Sequence, residues 1–172
     1  MKENLPKNIA VKLLPHFPTV LVGTGDKNKT NLITVAMVHV FSFDPPLIGV
    51  GISPKRYSFN LIQESMEFTI NVPSADQVEK IMSCGKVSGR EIDKFEKFNL
   101  TKEESKEISV PCIEEFPLNI ECRLIQQIET GDHHWFIGEV VGGKKSTDYV
   151  RHNAILYWGG EFRIPRELIE SV

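Results

Sequence analysis

Cysteine is scarce in this sequence, and no cysteine motif is present. The chain of 172 residues holds three cysteines, Cys84, Cys112 and Cys122, which are widely spaced, with no CxxC pair and no paired Cys/His ligand set. An odd number of isolated cysteines excludes a disulfide framework and the common zinc and iron–sulfur ligand patterns. We therefore expect reduced thiols and no metal, as in a cytoplasmic protein.

The sequence also lacks a strong charge excess and a long apolar run. Its net charge is -3, whereas nucleic acids and acidic membranes attract basic surfaces. The longest apolar runs, such as residues 33–41, are far shorter than the roughly 20 residues of a membrane span. The first residues lead into no apolar signal-peptide core. We expect no nucleic-acid partner, no membrane association and a cytoplasmic location.

No internal repeat, low-complexity tract or linker divides the chain, so we predict one domain over residues 1–172. A Gly-x-Gly-x-x-Gly fingerprint is also absent. A nicotinamide cofactor, if this protein uses one, therefore has no Rossmann domain of its own and must meet its reaction partner directly.

Short β-branched or alternating runs between turn signals dominate what is present. We predict strands at residues 19–24, 32–41, 47–52, 67–72, 118–125, 133–141, 154–158 and 161–164. Turns such as Gly25-Asp26-Lys27-Asn28 and Thr130-Gly131-Asp132 join neighbouring strands into hairpins. The fold class predicted is mostly β with helical insertions, built as an antiparallel barrel.

Two or three short helices complete the prediction. Ser58 is placed to cap a helix over residues 59–64. Ser74 and Gln77 have the spacing of a capping box, which starts a helix that continues to about Cys84, where Gly85 is placed to end it. Residues 86–99 hold one further short helix or a lid.

A basic, hydroxyl-rich loop, Ser53-Pro-Lys-Arg-Tyr-Ser58, lies between a predicted strand and a predicted helix. A helix N-terminus offers free N–H groups and a favourable dipole, and arginine adds a fork of donors, so this loop is a candidate phosphate site. The alternative is that Lys55 and Arg56 are a solvated surface pair, and Lys94 is open to the same interpretation.

Five segments, in this order, resemble the flavin reductase-like family of split-barrel FMN-binding proteins, and in particular its flavoredoxin-like branch. The segments, spread over residues 18–164, are 41–48, the loop 53–58 with 60–62, 68–72, 88–90 with 93–95, and 131–133 with 136–140. The resemblance implies a six-stranded antiparallel split barrel with Greek-key connections. It also implies a homodimer that holds FMN near the subunit interface.

The resemblance further implies a set of flavin-binding residues. The ring would lie beside the backbone and side chains of a small-residue strand, and the phosphate and ribityl chain would face the basic loop. The helical insertion, the 131–133 turn and the C-terminal hairpin would supply the rest. The residues are Asn31, Thr34, Val35, Ala36, Met37, Ser53, Lys55, Arg56, Ser58, Ser88, Lys94, His133 and Phe162.

No side chain is identified as a catalytic acid or base. His133 and Lys94 are candidates for tuning the flavin, since a cation near its pyrimidine edge favours reduction. His133 and His134 are adjacent on a predicted strand and point to opposite faces, so at most one of them meets the pocket. We favour His133 and treat the other as a solvent or packing histidine.

Three functions remain open from the sequence. The first is an oxidoreductase that takes electrons from NADH or NADPH through FMN and passes them to free flavin, a ferric complex or a redox partner protein. The second is a flavoredoxin-type electron carrier that never meets nicotinamide. The third is a barrel that has lost FMN and serves as a dimeric binding module.

Overall fold

The structure is a computed structural model that describes Pro6, Lys7, Ile9, Leu13 and residues 17–165, apart from the side chain of His152. The two ends of the predicted domain therefore lie outside the described residues. Among the described residues, no helix is long and apolar enough to cross a membrane.

Strands make up most of the described part of the chain. Their bounds are β1 Phe17–Pro18, β2 Val20–Gly25, β3 Thr30–Val35, β4 Val38–Phe43, β5 Pro46–Ile52, β6 Glu67–Val72, β7 Lys102–Glu103, β8 Cys112–Ile113, β9 Leu118–Thr130, β10 His133–Lys145, β11 Leu156–Trp158 and β12 Glu161–Arg163. The helices are α1 Tyr57–Ser65, α2 Val78–Lys86 and α3 Lys94–Lys97, with 3-10 turns at Ala75–Gln77 and Arg151–Asn153. The mostly β prediction is confirmed.

Seven strands form one antiparallel sheet in the order β3-β2-β6-β9-β10-β5-β4. Its two edge strands, β3 and β4, are consecutive in the chain and are separated only by Ala36 and Met37. The sheet therefore curls until its edges approach, and the N–H of Gly51 in β5 donates to the Met37 carbonyl at 2.7 Å. This arrangement is the split barrel that the sequence predicts.

The predicted single strand at residues 32–41 is broken into β3 and β4, which is why the sheet has seven strands where six were predicted. The break lies at Ala36 and Met37, where the strand leaves one edge of the sheet and joins the other. A sequence pattern cannot show this break, because it follows from closing the sheet and not from local turn residues.

The hairpin turns are where the sequence predicts them. Asp26 Oδ1 accepts hydrogen bonds from the N–H groups of Asn28 and Lys29 at 2.7 and 2.9 Å, and Gly25 has φ +94°. An aspartate that bonds the backbone two residues on, next to a glycine with positive φ, is the chemistry of a tight turn. The 131–132 turn likewise joins β9 to β10.

Two buried apolar clusters lie on opposite faces of the sheet. Val20 and Val22 of β2 point into the barrel interior with Phe68 and Phe136, whereas Leu21 points to the outside. This alternation follows from the two-residue period of a strand. The outer cluster, which includes Ile81 of α2 and Phe95 of α3, seats both helices near β3 and so forms one wall of the site described below.

Two predictions about helix ends are wrong. Arg56, with extended backbone, is the N-cap of α1, and Ser58 lies within the helix, so Ser58 is not its cap. Helix α2 continues through Gly85 to Lys86. A Cβ at Gly85 would lie 3.3 Å from Thr34 Oγ1, so the glycine allows a close approach of helix and strand instead of ending the helix. The predicted capping box is confirmed, because Ser74 N–H donates to Gln77 Oε1 at 2.9 Å.

Candidate functional site

A cavity of about 330 Å³ lies between β3, the start of α1 and the C-terminal end of α2. Five of its lining side chains are cationic, Lys55, Arg56, Lys86, Arg90 and Lys94, and no aspartate or glutamate is among the described residues that line it. In a chain of net charge -3, this concentration of positive charge marks a site for an anion. The other lining residues are Asn31, Ile33, Thr34, Tyr57, Ser58, Cys84, Gly85, Val87, Ser88 and Gly89.

The basic loop forms the floor of this cavity, which we call the cationic cavity. The Arg56 N–H donates to the Ser53 carbonyl at 2.9 Å, a turn that leads the chain into α1. Ser58 Oγ is completely buried and accepts a hydrogen bond from Asn31 Nδ2 at 2.8 Å. The loop and β3 are thereby held together. Arg56 and Lys55 are exposed and line the cavity beside the first turn of a nine-residue helix.

The segment after α2 closes the cavity because glycine stands at position 89. A Cβ there would lie 2.0 Å from Asn31 Oδ1 and 2.5 Å from Asn31 Cγ. Asn31 cannot retreat, since it is buried and bonded to Ser58. Only a residue without a side chain allows this approach, which brings Ser88 and Arg90 to the cavity.

Lys94 is buried in the cavity wall with 5% of its surface exposed. Its ammonium donates to the carbonyls of Leu32 at 2.7 Å and Cys84 at 2.8 Å, so it joins β3 to the last turn of α2. Burial lowers the pKa of Lys94. Burial also raises the pKa of the neighbouring Cys84 thiol to about 11, which keeps this thiol protonated near neutral pH.

Tyr57 stands at the rim of the cationic cavity between Arg90 and one further cation, Lys29. Lys29 Nζ lies 5.7 Å from the centre of the Tyr57 ring, and the Arg90 guanidinium lies 5.6 Å from it. Both distances are within the range of cation–π contacts. The ring therefore orients Arg90 at the mouth of the cavity.

A second cavity of about 360 Å³ adjoins the first and shares Thr34, Gly85 and Lys86 with it. Its other lining residues are mostly apolar: Thr19, Ala36, Ile81, Met82, Tyr157 and Phe162. We call it the apolar cavity. A strongly cationic compartment that continues into an apolar one suits a ligand with an anionic end and a flat, weakly polar end.

The structure brings most of the predicted site residues to these two cavities. Asn31, Thr34, Lys55, Arg56, Ser58, Ser88 and Lys94 line the cationic cavity, and Ala36 and Phe162 line the apolar one with Thr34. The carboxylate-free lining and the burial of Lys94 do not fit the alternative of a solvated surface charge for Lys94.

Four predicted site residues line neither cavity. The Val35 side chain packs in the barrel core, Met37 lies against Gly51, and Ser53 contributes its carbonyl to the turn before α1. His133 Nδ1 lies 2.9 Å from Asp132 Oδ1. Its neighbour His134 packs on Phe59, with ring centres 5.0 Å apart, as expected for a packing histidine.

Several cavity residues were missed from the sequence. Arg90 and Gly89 belong to the 88–90 segment of the family resemblance, and Lys86 lies just before it. The positive charges of Lys86 and Arg90, and the absence of a side chain at Gly89, were the available signals. Thr19, Ile81, Met82 and Tyr157 carried no signal, because they lie before β2, on α2 and on β11 and meet only in the assembled fold.

Solved structures with the same fold are similar over almost the whole chain. Flavoredoxin of Desulfovibrio vulgaris (Miyazaki F) matches with a TM-score of 0.88 and 29% identity, covering 99% of this chain and 97% of that one. The FMN-binding protein from Thermus thermophilus matches with a TM-score of 0.85 and 25% identity, covering 100% and 97%.

Sequence comparisons agree with the structural ones. A protein of Archaeoglobus fulgidus described as uncharacterized is 41% identical over 123 residues, which are 72% of this chain and 69% of that protein. The sequence profile described as "Flavin reductase like domain" matches residues 15–165, which include both cavities. The chain belongs to the flavin reductase-like family.

Proposed function

We propose that this protein binds FMN and acts as an oxidoreductase, passing electrons from NADH or NADPH to free flavin, a ferric complex or a partner protein. The observation that carries the proposal is the cationic cavity, which is lined by five cationic residues and by no carboxylate among its described lining residues. A lining of this charge would attract anions and would stabilise a phosphate dianion.

The residues present fit the phosphate of FMN. Arg56 offers a planar fork of donors, Lys55 adds a second charge, and both stand beside the N-terminus of α1. Charge-assisted hydrogen bonds of this kind are about twice as strong as neutral ones. Ser88 and Asn31 add neutral polar groups for a ribityl chain.

The apolar cavity fits a flat ring that leads away from the phosphate. Ala36 and Phe162 line it, and Thr34 is shared by both cavities, so a single ligand can extend from one to the other. When bound, FMN would supply the electron-transfer chemistry, and the protein would bind, orient and tune it. The apolar walls would exclude water from the reacting ring, and Lys94 and Lys86 would favour negative charge nearby.

Relatives agree with this use of the fold. Structures of the similar Thermus thermophilus protein are described as an FMN-binding protein with bound 1-cyclohex-2-enone and with bound p-hydroxybenzaldehyde. The similarity to flavoredoxins favours a second candidate, an electron carrier that receives electrons from a protein partner and never from nicotinamide.

We also propose a homodimer with FMN near the subunit interface. The edge strand β4 exposes apolar side chains, including Phe43 at 90%, Phe41 and Val40. An exposed apolar edge strand is a surface that proteins usually cover. Because β4 follows Ala36 and Met37 directly, a partner that covers β4 would lie next to the apolar cavity.

The proposal is tested by anaerobic titration of the FMN-loaded protein. Bleaching of the flavin absorbance by stoichiometric NADH or NADPH supports the oxidoreductase. Bleaching by dithionite, but by neither nicotinamide, supports the electron carrier instead. A wild-type protein that binds no FMN refutes both and leaves the barrel as a binding module.

A further inference from the structure

The cationic cavity carries more positive charge than one phosphate needs. Lys55 and Arg56 stand beside the first turn of α1 and supply two positive charges. A phosphate monoester carries about 1.5 to 2 negative charges near neutral pH, so these two residues already match the phosphate of FMN. Lys86 and Arg90 line the same cavity, and their charges remain after this match. Because like charges in one cavity repel one another, a second anionic group would stabilise the site.

The remaining cation of the lining, Lys94, is not part of this excess at the surface. It is buried, and the carbonyls of Leu32 and Cys84 accept its hydrogen bonds. Lys86 and Arg90 are exposed, and neither of them forms a salt bridge within the part of the chain that the structure describes. These two side chains are therefore the ones available to a second anion.

Arg90 is held in place at the mouth of the cavity. Its guanidinium lies 5.6 Å from the centre of the half-buried Tyr57 ring, and its backbone N–H donates to Ser88 Oγ at 3.3 Å. Lys29 adds a cation 5.7 Å from the same ring, but Asp26 of its own turn also attracts it. Arg90 is thus the principal cation of the mouth. Its planar fork of donors matches the oxygens of a phosphate group.

The mouth is connected to both parts of the proposed FMN site. Tyr57 follows Arg56 directly in the chain, so the mouth adjoins the residues assigned to the FMN phosphate. Lys86 lines both the cationic and the apolar cavity. A ligand that binds Arg90 through a phosphate can therefore extend either to the FMN phosphate or along Lys86 toward the flavin ring.

We propose that Arg90, oriented by Tyr57 and assisted by Lys86, binds a second phosphate group, which belongs to an adenine dinucleotide. The inference rests on the proposed function, since the first phosphate is that of the flavin. Two dinucleotides supply such a group. FAD carries it joined to the phosphate of the flavin half, and NADH or NADPH carries it on a separate molecule that meets the flavin. Both share the chemistry that the mouth recognises, a phosphate next to the flavin phosphate.

The test uses two variants of the mouth and two controls. Arg90→Gln removes the charge and keeps a polar side chain. Tyr57→Leu keeps Arg90 but removes the ring that orients it, whereas Tyr57→Phe retains a ring. Lys27→Gln is the matched control for charge, because Lys27 is exposed, lies in the turn before β3 and lines neither cavity.

Each variant is titrated with single phosphates and with dinucleotides at about 0.15 M salt, where exposed charges are screened beyond about 8 Å. FMN and FAD are titrated into the flavin-free protein, and NAD⁺ and NADP⁺ into the FMN-loaded protein. We expect Arg90→Gln to weaken dinucleotide binding by about tenfold or more, and by at least about threefold more than it weakens FMN binding. Tyr57→Leu should act in the same direction, and Tyr57→Phe and Lys27→Gln should bind all four ligands as wild type does.

The pattern of losses identifies the source of the second phosphate. A selective loss of FAD affinity in Arg90→Gln identifies the adenylate half of FAD. A selective loss for NAD⁺ and NADP⁺ identifies the nicotinamide dinucleotide. In that case an equal loss for the two places the pyrophosphate at Arg90, and a larger loss for NADP⁺ places the 2′-phosphate there.

The inference is overturned if Arg90→Gln weakens dinucleotide binding no more than FMN binding, or if the wild-type protein binds no dinucleotide. Failure of the proposed function looks different, because the wild-type protein then binds no FMN. Titration of the flavin-free variants with NADP⁺ would still decide, in that case, whether Arg90 holds a phosphate.

Discussion

Replacing Lys94 by methionine should destabilise the protein and loosen the cationic cavity. Methionine keeps an unbranched apolar side chain of similar length but loses the ammonium group. The carbonyls of Leu32 and Cys84 then lose the donor that lies 2.7 and 2.8 Å away. The Leu32 carbonyl belongs to an edge strand, and the Cys84 carbonyl belongs to the last turn of α2, where helix carbonyls lack helical partners.

Two opposing contributions set the change in the free energy of unfolding of Lys94→Met. A hydrogen bond to a charged group contributes about 1.5–3 kcal/mol, so losing two of them costs about 3–6 kcal/mol. The variant gains stability because it no longer buries a charge. Burial of that charge in wild type is unfavourable, since it lowers the pKa of Lys94 in the folded protein. We therefore expect a net loss of about 2–4 kcal/mol in the free energy of unfolding.

Urea denaturation measures this loss, and Lys97→Met is the matched control. Lys97 belongs to the same helix, α3, and its side chain is exposed. The control should change the free energy of unfolding by less than about 0.5 kcal/mol. If Lys94→Met were as stable as Lys97→Met, the two carbonyl bonds would not hold the cavity wall together.

We expect the stability difference between wild type and Lys94→Met to depend on pH. Because burial lowers the pKa of Lys94 below its ordinary value of 10.5, the unfolded chain holds this proton to a higher pH than the folded protein does. Stability rises with pH wherever the unfolded state binds more protons. The stability advantage of wild type over Lys94→Met should therefore grow as the pH rises toward about 10.5, and a shrinking advantage would contradict this reasoning.

Two further predictions concern a glycine and a buried thiol. Gly89→Ala should weaken FMN binding and cost about 1–3 kcal/mol of stability, because its Cβ would lie 2.0 Å from Asn31 Oδ1; wild-type values in fluorescence titration and urea denaturation would show that the loop relaxes freely. Burial raises the pKa of Cys122 from 9.0 to about 12, so the unfolded chain loses this proton first and stability falls as the pH rises above about 9. Cys122→Ala should flatten that fall in denaturation curves, and an equally steep fall in the variant would exclude this thiol as a cause.

Much of the fold could be predicted because its signals are local. Turn residues such as Gly25 and Asp26 set the hairpins, and alternation at residues 67–72 marks a strand that the structure confirms as β6. The break at Ala36 and Met37 and the role of Gly85 could not be predicted, since both depend on residues distant in the chain, Gly51 and Thr34.

Some residues of the candidate site could likewise be predicted from local sequence signals, and others could not. Lys55, Arg56 and Ser58 were found because charge, hydroxyl groups and a helix start coincide in one short loop. The contact of Lys94 with two backbone carbonyls carries no sequence signal. It depends on where the sheet and the helices place carbonyl groups, which only the assembled fold determines.

Parallel titrations with FMN and riboflavin test whether Arg56 holds a phosphate in the cationic cavity. The two flavins share a ring and a ribityl chain and differ in the phosphate. We expect Arg56→Ala to weaken FMN binding by about 1.5–3 kcal/mol, or about 10- to 150-fold, and to leave riboflavin binding unchanged. The exposed Lys27→Ala should change neither. Unchanged FMN affinity in Arg56→Ala, or an equal loss for both flavins, would contradict a phosphate held in the cationic cavity.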